Sequence, residues 1–411
     1  MKTFKKYSKN FLLSFCTFLV LAVLIEIILR VAQPAFFQRK DLKYHTEIGW
    51  TAKPHFSHFR LVNNDHFVHY QSNEHGFRDR IHQALPHIKK WRRTGDSLAY
   101  FRRIVVLGDS YSEAIQVEQH KTYWFRLQEK LNVQSKDHWE IYNLGISGFG
   151  TVQELQTLKT YGLTVEPDLV ILQVFPYNDI LNNSLSGAYI LNPQDTYRPY
   201  LSPKDNFQSV TFLNPRTSWW RKHSYLCRFG FLYINKIFGA WGDEKFLASK
   251  KEWRSYLKQR RPTIERGKST TKGYQWRMFN TFVDHQYQIP LIQEGWQATD
   301  TAITRIIEMT QERDSKIAMM VIPNFRQLSP FLTSTDYEIP STYDPKYGEK
   351  RISKISQAFN IPLTCLVDTF EKHIDQVTPY LESHFNEGAH ELTSGILLEE
   401  VKKLFPNSFK P

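Results

Sequence analysis

Cysteine is scarce: the 411 residues contain three, Cys16, Cys227 and Cys365, which form neither a metal-ligand spacing nor a disulfide framework. Cys227 and Cys365 could pair in an oxidising compartment, and sequence leaves that open. Cys-x-x-Cys and His-x-Glu-x-His patterns are missing, so metal catalysis has no support and no cofactor is expected. Low-complexity tracts and solenoid-period repeats are also missing, which excludes linker-like and repeat architectures. What remains is 41% hydrophobic and 15% aromatic, a folded composition large enough for one domain with insertions or for two.

Acidic residues are the minority, 41 against 53 Lys and Arg, for a formal charge of +12. Such a balance suits nucleic acid, anionic lipid or an acidic glycan. The N-terminus bears on the choice. Lys2, Lys5, Lys6 and Lys9 precede an apolar run from Phe11 to Leu29, long enough as a helix to cross the ~30 Å hydrocarbon core. Its exit, Gln33-Pro34-Ala35, is a poor cleavage site, and Phe15 before Cys16 is no lipobox, so an uncleaved anchor is expected. The lysines ahead of the run place the bulk of the chain outside the cytoplasm, against some contrast from Arg30, Arg39, Lys40 and Lys43 behind it. Nucleic acid is then no default partner, and no zinc-finger or RNA-recognition pattern restores it. Glu26 lies near the end of the run with Arg30 four residues on, which suits a headgroup-reaching pair.

From Ile104 onward, apolar runs of strand length alternate with helical spacing. "RIVVLGDS", "WEIYNLGI", "PDLVILQVFP" and "KIAMMVIP" read as strands. "KTYWFRLQEKL", "TVQELQTLKTYG" and segments near 296–313, 347–359 and 387–404 read as helices, with "CLVDTF" continuing the alternation. Buried strands separated by helices predict a parallel sheet covered on both faces. The rhythm stops for about a hundred residues after 181, in a stretch rich in Tyr, Trp, Arg and Lys. One helix is expected there, in "HSYLCRFGFLYINKIF".

"VVLGDSYSEA" ends a strand in Gly108-Asp109-Ser110. Alone the triplet also fits turn and cap chemistry. Nucleophilic catalysis by serine needs a base, a group orienting that base, and donors for the oxyanion. "NLGISGFGT" offers the backbone N–H of Gly145, "VFPYNDI" the amide of Asn178, and "YLESHFNEGAHEL" places His384 before the last helix with Glu382 two residues earlier. Each also has a bland reading as a turn or cap residue. His390 is the competing histidine, and its position within the final helix suits a structural role. An α/β-hydrolase elbow, Gly-x-Ser-x-Gly, is broken here by Ser112.

In order and spacing these blocks resemble those of the SGNH, or GDSL-type, hydrolases, with Ser110, Gly145, Asn178 and His384 at the four block positions. Upstream, "EIGWTAKPH" and "YQSNEHGFRDR" resemble segments of membrane-anchored bacterial members. The resemblance covers about residues 47–181 and 315–405. It implies a three-layer α/β/α, flavodoxin-like fold with a parallel sheet. The organisation expected is a cytoplasmic N-terminus over 1–10, a transmembrane anchor over 11–31, a juxtamembrane extension over 32–100, and the hydrolase-like domain over 101–411 with an insertion at about 182–295.

The resemblance also implies a mechanism. His384 takes the proton of Ser110, and the N–H groups of Ser110 and Gly145 with the Asn178 amide hold the oxyanion. The family usually carries Asp before the His. Glu382 stands there instead, so either its carboxylate completes a triad or Ser110 and His384 form a dyad with a backbone acceptor. The expectation is a single-pass inner-membrane, periplasm-facing serine esterase removing small acyl groups from a cell-envelope glycan or related ester. Transfer of the acyl group to a surface polysaccharide, or a non-enzymatic glycan-binding role on the same fold, are the alternatives.

Overall fold

A computed structural model of the chain describes residues 2–32, 42–82, 90–92, 98–187, 198–212, 224, 226, 281–328, 341–378 and 380–409. Helix α1 (Lys2–Ala32) comes first, and its described side chains, residues 13–28, are mostly exposed apolar groups such as Leu13, Phe18 and Ile28. Among the described residues no helix is long and apolar enough to cross a membrane. The Glu26 carboxylate accepts hydrogen bonds from Ser224 Oγ (2.9 Å) and Leu226 N–H (2.8 Å), joining α1 to the insertion. The expected Arg30 partner has no described side chain.

The extension forms two antiparallel hairpins, β1 (Leu42–His45) with β2 (Gly49–Ala52) and β3 (Ser57–Val62) with β4 (His66–Gln71). A short strand, β5 (Lys90–Arg92), then pairs antiparallel with the start of β6 (Leu98–Leu107). The α/β alternation follows: α2 (Ser110–Glu113), α3 (Tyr123–Gln134), β7 (His138–Asn143), α4 (Thr151–Thr160), β8 (Leu169–Val174) and α5 (Pro176–Asn183). Within the expected insertion a small hairpin, β9 (Pro199–Leu201) with β10 (Val210–Phe212), buries Tyr200 and Leu201. The helix expected within 223–238 falls outside the described residues, apart from Ser224 and Leu226.

The alternation resumes at α6 (Pro290–Gln311), earlier than the expected 296 because Pro290 supplies a preset first-turn residue. It continues through β11 (Lys316–Val321), α7 (Tyr347–Phe359), β12 (Leu363–Cys365), α8 (Val367–Lys372), α9 (Ile374–Val377) and α10 (Glu387–Leu404). In "CLVDTF" only Cys365 is strand, since Val367 already opens α8. Cys365 is a free thiol, and its conceivable partner Cys227 lies outside the described residues.

The parallel strands lie in the order β7-β6-β8-β11-β12. Ranked by sequence this is 2-1-3-4-5, the flavodoxin-like order, whose crevice opens at the carboxyl ends of the strands flanking the first. Alternate residues of each central strand feed two cores. Val105 and Leu107 of β6 and Val170, Leu172 and Val174 of β8 pack with α4, α6 and α7 on one face. Ile104 and Val106 of β6 and Leu169 and Ile171 of β8 pack with α3, α8 and α10 on the other. With both faces covered, every residue of β8 is buried, which is why its sequence is apolar except for Gln173, whose amide bonds Asp109.

Candidate active site

The crevice at the ends of β6, β7 and β8 receives the chemistry-bearing blocks. As β6 ends, Gly108 lets the chain pass close to Gln173 and Ser112, where a Cβ would collide with both side chains. Asp109 then caps a single helical turn by accepting from Tyr111 N–H (3.0 Å), which presents Ser110 at the pocket. Ser110 Oγ lies 2.8 Å from His384 Nε2. His384 Nδ1 lies 2.9 Å from the main-chain oxygen of Glu382. A carbonyl can only accept, so Nδ1 carries the proton and Nε2 presents its lone pair to the serine hydroxyl. This is a nucleophile and base of the serine-hydrolase kind, in the tautomer that accepts a proton from serine.

The turn that holds His384 is unusual. Leu381 and His384 exchange both main-chain hydrogen bonds, each 2.8 Å, across Glu382 and Ser383, which have positive φ of 47° and 67°. Positive φ at both central positions marks a type I′ turn, in which Gly, Asn and Asp are the usual occupants. Tyr111 Oη donates to Ser383 O at 3.0 Å, fastening the turn to the residue after the nucleophile. The Glu382 carboxylate is engaged elsewhere: Arg60 Nη2 donates to its Oε2 at 2.5 Å. Of the two sequence readings for Glu382, the geometry has the backbone acceptor, and the carboxylate is not the group on Nδ1.

Asn178, at the first turn of α5, lines the same pocket. Its side chain is hydrogen-bonded to Asp109, a fully buried carboxyl whose pKa burial raises, against opposing bonds from Tyr111 N–H, Gln173 and Asn178. Gly145 is placed differently from the sequence expectation. Its N–H points back at Asn143 Oδ1 (3.3 Å), and a Cβ there would strike Ser112 Cβ. The same loop contributes Ser147 and Gly148 to the pocket wall, and Gly145 is not among the lining residues. Gly148 has φ of +82°, and among the described residues its N–H has no hydrogen-bond partner.

Competing residues have structural work. Ser112 Oγ is buried between Tyr123 Oη (2.6 Å) and Gln173 Oε1 (2.7 Å). His390 Nδ1 accepts from Tyr123 N–H (3.2 Å), and burial pulls its pKa down to about 3, which fixes it as a neutral imidazole. Among the described residues no group of three or more His, Cys, Asp or Glu side chains could hold a metal.

Several residues that sequence reasoning left without a role build the site. Arg78, from the upstream "NEHGFRD" segment, is buried and donates to the carbonyls of Glu113, Ala114, His69 and Val117. These bonds satisfy the carbonyl end of the Ser110 turn, and burial lowers the guanidinium pKa to about 10. Asp79 Oδ2 accepts from Asn143 N–H (3.0 Å), fixing the end of β7. Glu113 joins the loops, accepting from Tyr70 Oη (3.0 Å) and Ser147 N–H (2.7 Å). The sequence signal for these roles was the upstream segment itself, whose residues could be quoted but not assigned to partners. The pocket occupies about 640 Å³ and also draws Phe56, His58 and Arg60 from the extension.

Sheet order, a crevice at the strand ends, and serine, asparagine and histidine blocks converging there decide the fold. It is a three-layer α/β/α fold of flavodoxin-like strand order, similar to that of the SGNH-type hydrolases. No protein-family model matches the chain, and no curated protein does. Solved structures similar to it include the psychrotrophic esterase EstA from Pseudoalteromonas sp., at 15% identity over 74% of this chain and 99% of that one, with a TM-score of 0.34. The lipase/acylhydrolase from Enterococcus faecalis is 14% identical over 74% and 96% of the two chains, with a TM-score of 0.36. A catalytic mutant of the acetylxylan esterase Axe2 from Geobacillus stearothermophilus is 10% identical over 73% and 94%, with a TM-score of 0.36. Two features mark the site of this chain: a backbone carbonyl behind the histidine, and an N-terminal hairpin that contributes to the pocket wall.

Proposed function

We propose that the chain is a serine esterase acting on small acyl esters. The observation that carries this reading is the aligned series Ser110 Oγ, His384 Nε2, His384 Nδ1 and Glu382 O, at 2.8 and 2.9 Å. His384 takes the hydroxyl proton as Ser110 Oγ attacks the ester carbonyl, and Nδ1–H remains on the Glu382 carbonyl while the imidazolium exists. The tetrahedral oxyanion is held by the N–H groups of Ser110 and Gly148 and by the Asn178 amide. Gly148 replaces Gly145 in this role because Gly145 N–H is directed at Asn143 and Gly148 lines the pocket. His384 then protonates the departing alcohol, and water, deprotonated by the same residue, releases the acid.

The substrate class is an acylated cell-envelope glycan. The volume of about 640 Å³ suits a sugar-sized ligand. The chain is held at the inner membrane by its N-terminal apolar run from Phe11 to Leu29, which extends at both ends beyond the side chains described for α1, with its catalytic domain on the periplasmic side. A fluorophosphonate probe applied to the full-length protein in detergent should label Ser110, and Ser110→Ala should abolish both labelling and ester hydrolysis. Labelling that persists in the Ser110→Ala protein would overturn the assignment. Membrane fractionation tests the anchor: recovery of a mature chain beginning near Ala35 would replace it with a cleaved signal.

A further inference from the structure

The hairpin β3–β4 has two unlike faces. Phe59 of β3 and Phe67 of β4 are 71% and 65% exposed on its outer side, beside Leu61. His58 and Arg60, which alternate with them, turn inward and line the pocket that holds Ser110 and His384. The hairpin is not a loose flap. Tyr70 Oη donates to Glu113, His69 N–H donates to Glu118 Oε1 (3.0 Å), and Arg78 holds the His69 carbonyl. Arg60 is therefore fixed in relation to the nucleophile by the bonds that fix the Ser110 turn.

Among the lining residues Arg60 is the one arginine, and there is no lysine. It uses its donors incompletely. Nη2 donates to Glu382 Oε2, and Nε is buried without a hydrogen-bond partner. A guanidinium binds a carboxylate best through two parallel N–H donors, and Nε with Nη2 forms such a fork. Glu382 is anchored to a tight turn and engages one prong. Its side chain is 31% exposed, so it can leave for solvent without moving the turn that serves His384. The pocket thus contains a fork whose present occupant is a displaceable carboxylate, and the chain's charge of +12 favours the approach of an anion.

We propose that Arg60 is a specificity-determining residue that binds a carboxylate on the substrate, so that the preferred ester is carried by an acidic sugar, with Glu382 holding the fork in the free protein. This rests on the esterase reading above and narrows its substrate. When the substrate carboxylate takes Nε and Nη2, the Glu382 side chain swings outward, and its carbonyl stays on His384 Nδ1.

The test uses full-length protein in detergent and a matched pair of esters, O-acetylated glucuronic acid and O-acetylated glucose, with labelling of Ser110 by fluorophosphonate run in parallel. The parent protein should favour the acidic ester in kcat/KM by roughly 10–100-fold, the range of one charge-assisted pair. Arg60→Gln should bring that ratio close to one, Arg60→Lys should leave it intermediate, and Glu382→Gln should lower KM for the acidic ester by removing the internal competitor. Raising salt should shrink the ratio in the parent. A parent that is labelled and hydrolyses both esters equally well, or an Arg60→Gln protein that is labelled at the parent rate and keeps the parent's ratio, overturns the Arg60 assignment and leaves the esterase reading standing. Absence of both labelling and turnover in the parent overturns the esterase reading, and this proposal with it.

Discussion

Glu382→Gln separates the backbone-acceptor arrangement from a carboxylate triad. The substitution keeps the main-chain carbonyl on His384 Nδ1 and removes only a charge that already pairs with Arg60 at 2.5 Å, with 37% and 31% of the two side chains exposed. Ion pairs at that exposure contribute about 0.2–1 kcal/mol, so with a neutral ester kcat should change by no more than about fivefold. Removing the charge of a triad acid that does orient its histidine costs about 10⁴ in kcat. The two expectations differ by about three orders of magnitude, well beyond the error of a steady-state assay. The turn supplies the opposite arm. Ser383 has φ of +67°, and proline is locked near −65°, so Ser383→Pro should break the turn, move the Glu382 carbonyl off Nδ1 and lower kcat by about 10² or more. Steady-state hydrolysis of a chromogenic acetyl ester, with circular dichroism as the check on folding, reads both variants. A folded Glu382→Gln protein slowed by 10³ or more would refute the backbone-acceptor argument.

Three further outcomes are expected. Asn178→Ala should lower kcat by about 10²–10³ with a smaller change in KM, the usual cost of one oxyanion donor, and an unchanged kcat with chemistry rate-limiting would remove Asn178 from that role. Arg78→Lys puts a point charge where a fork serves four carbonyls, so it should cost about 3–5 kcal/mol in denaturant unfolding and lower kcat as well; a stability within 1 kcal/mol of the parent would refute the strut role. Burial, with Asp179 and Asp109 nearby, holds the Glu154 pKa well above its ordinary value, so the folded protein keeps that proton more tightly than the unfolded chain. Its contribution to stability is full below the unfolded pKa and is lost as pH rises toward the folded one, so Glu154→Gln should flatten the decline of Tm between pH 5 and pH 9, and parallel curves would refute the burial argument.

The parts of the molecule legible in the sequence are those whose signal is local. The buried strand β8 is apolar but for Gln173 because helices cover both its faces, and α7 and α10 begin and end where periodicity and caps placed them. Ser110, Asn178 and His384 each follow a strand or precede a helix in a recognisable block, and they meet as expected. The failures have one physical origin, which is that composition does not report direction. Gly145 and Gly148 lie three residues apart in one loop, and only the backbone path decides that the first donates to Asn143 while the second walls the pocket. Glu382 offers two acceptors, and the positive φ at 382 and 383, atypical for Glu and Ser, brings the carbonyl to the histidine. On β3 the polar and apolar faces are reversed, since His58 and Arg60 face the pocket and the phenylalanine and leucine beside them face out.

That inversion explains why the extension cannot be treated as a tether. A buried guanidinium is costly unless its donors are satisfied, and every acceptor of Arg78 lies on β4 or on the chain that follows Ser110. The Ser110 turn in turn exposes carbonyls that a four-residue helix cannot satisfy internally, at Ala114 with its left-handed φ of 52°. Each feature removes a penalty in the other, so neither segment is stable in this form alone. Asp79 repeats the arrangement at Asn143, and Tyr70 does so at Glu113, which in turn fixes Ser147 beside Gly148. The sheet brings the ends of β6, β7 and β8 to one edge, but the loops that carry Ser110 and Gly148 to the pocket are held by residues 69–79. A site on loops reaches catalytic precision only when the residues packed behind those loops restrain them. In this chain those residues belong to the N-terminal extension, and the segment that restrains the loops also carries Arg60 into the pocket wall.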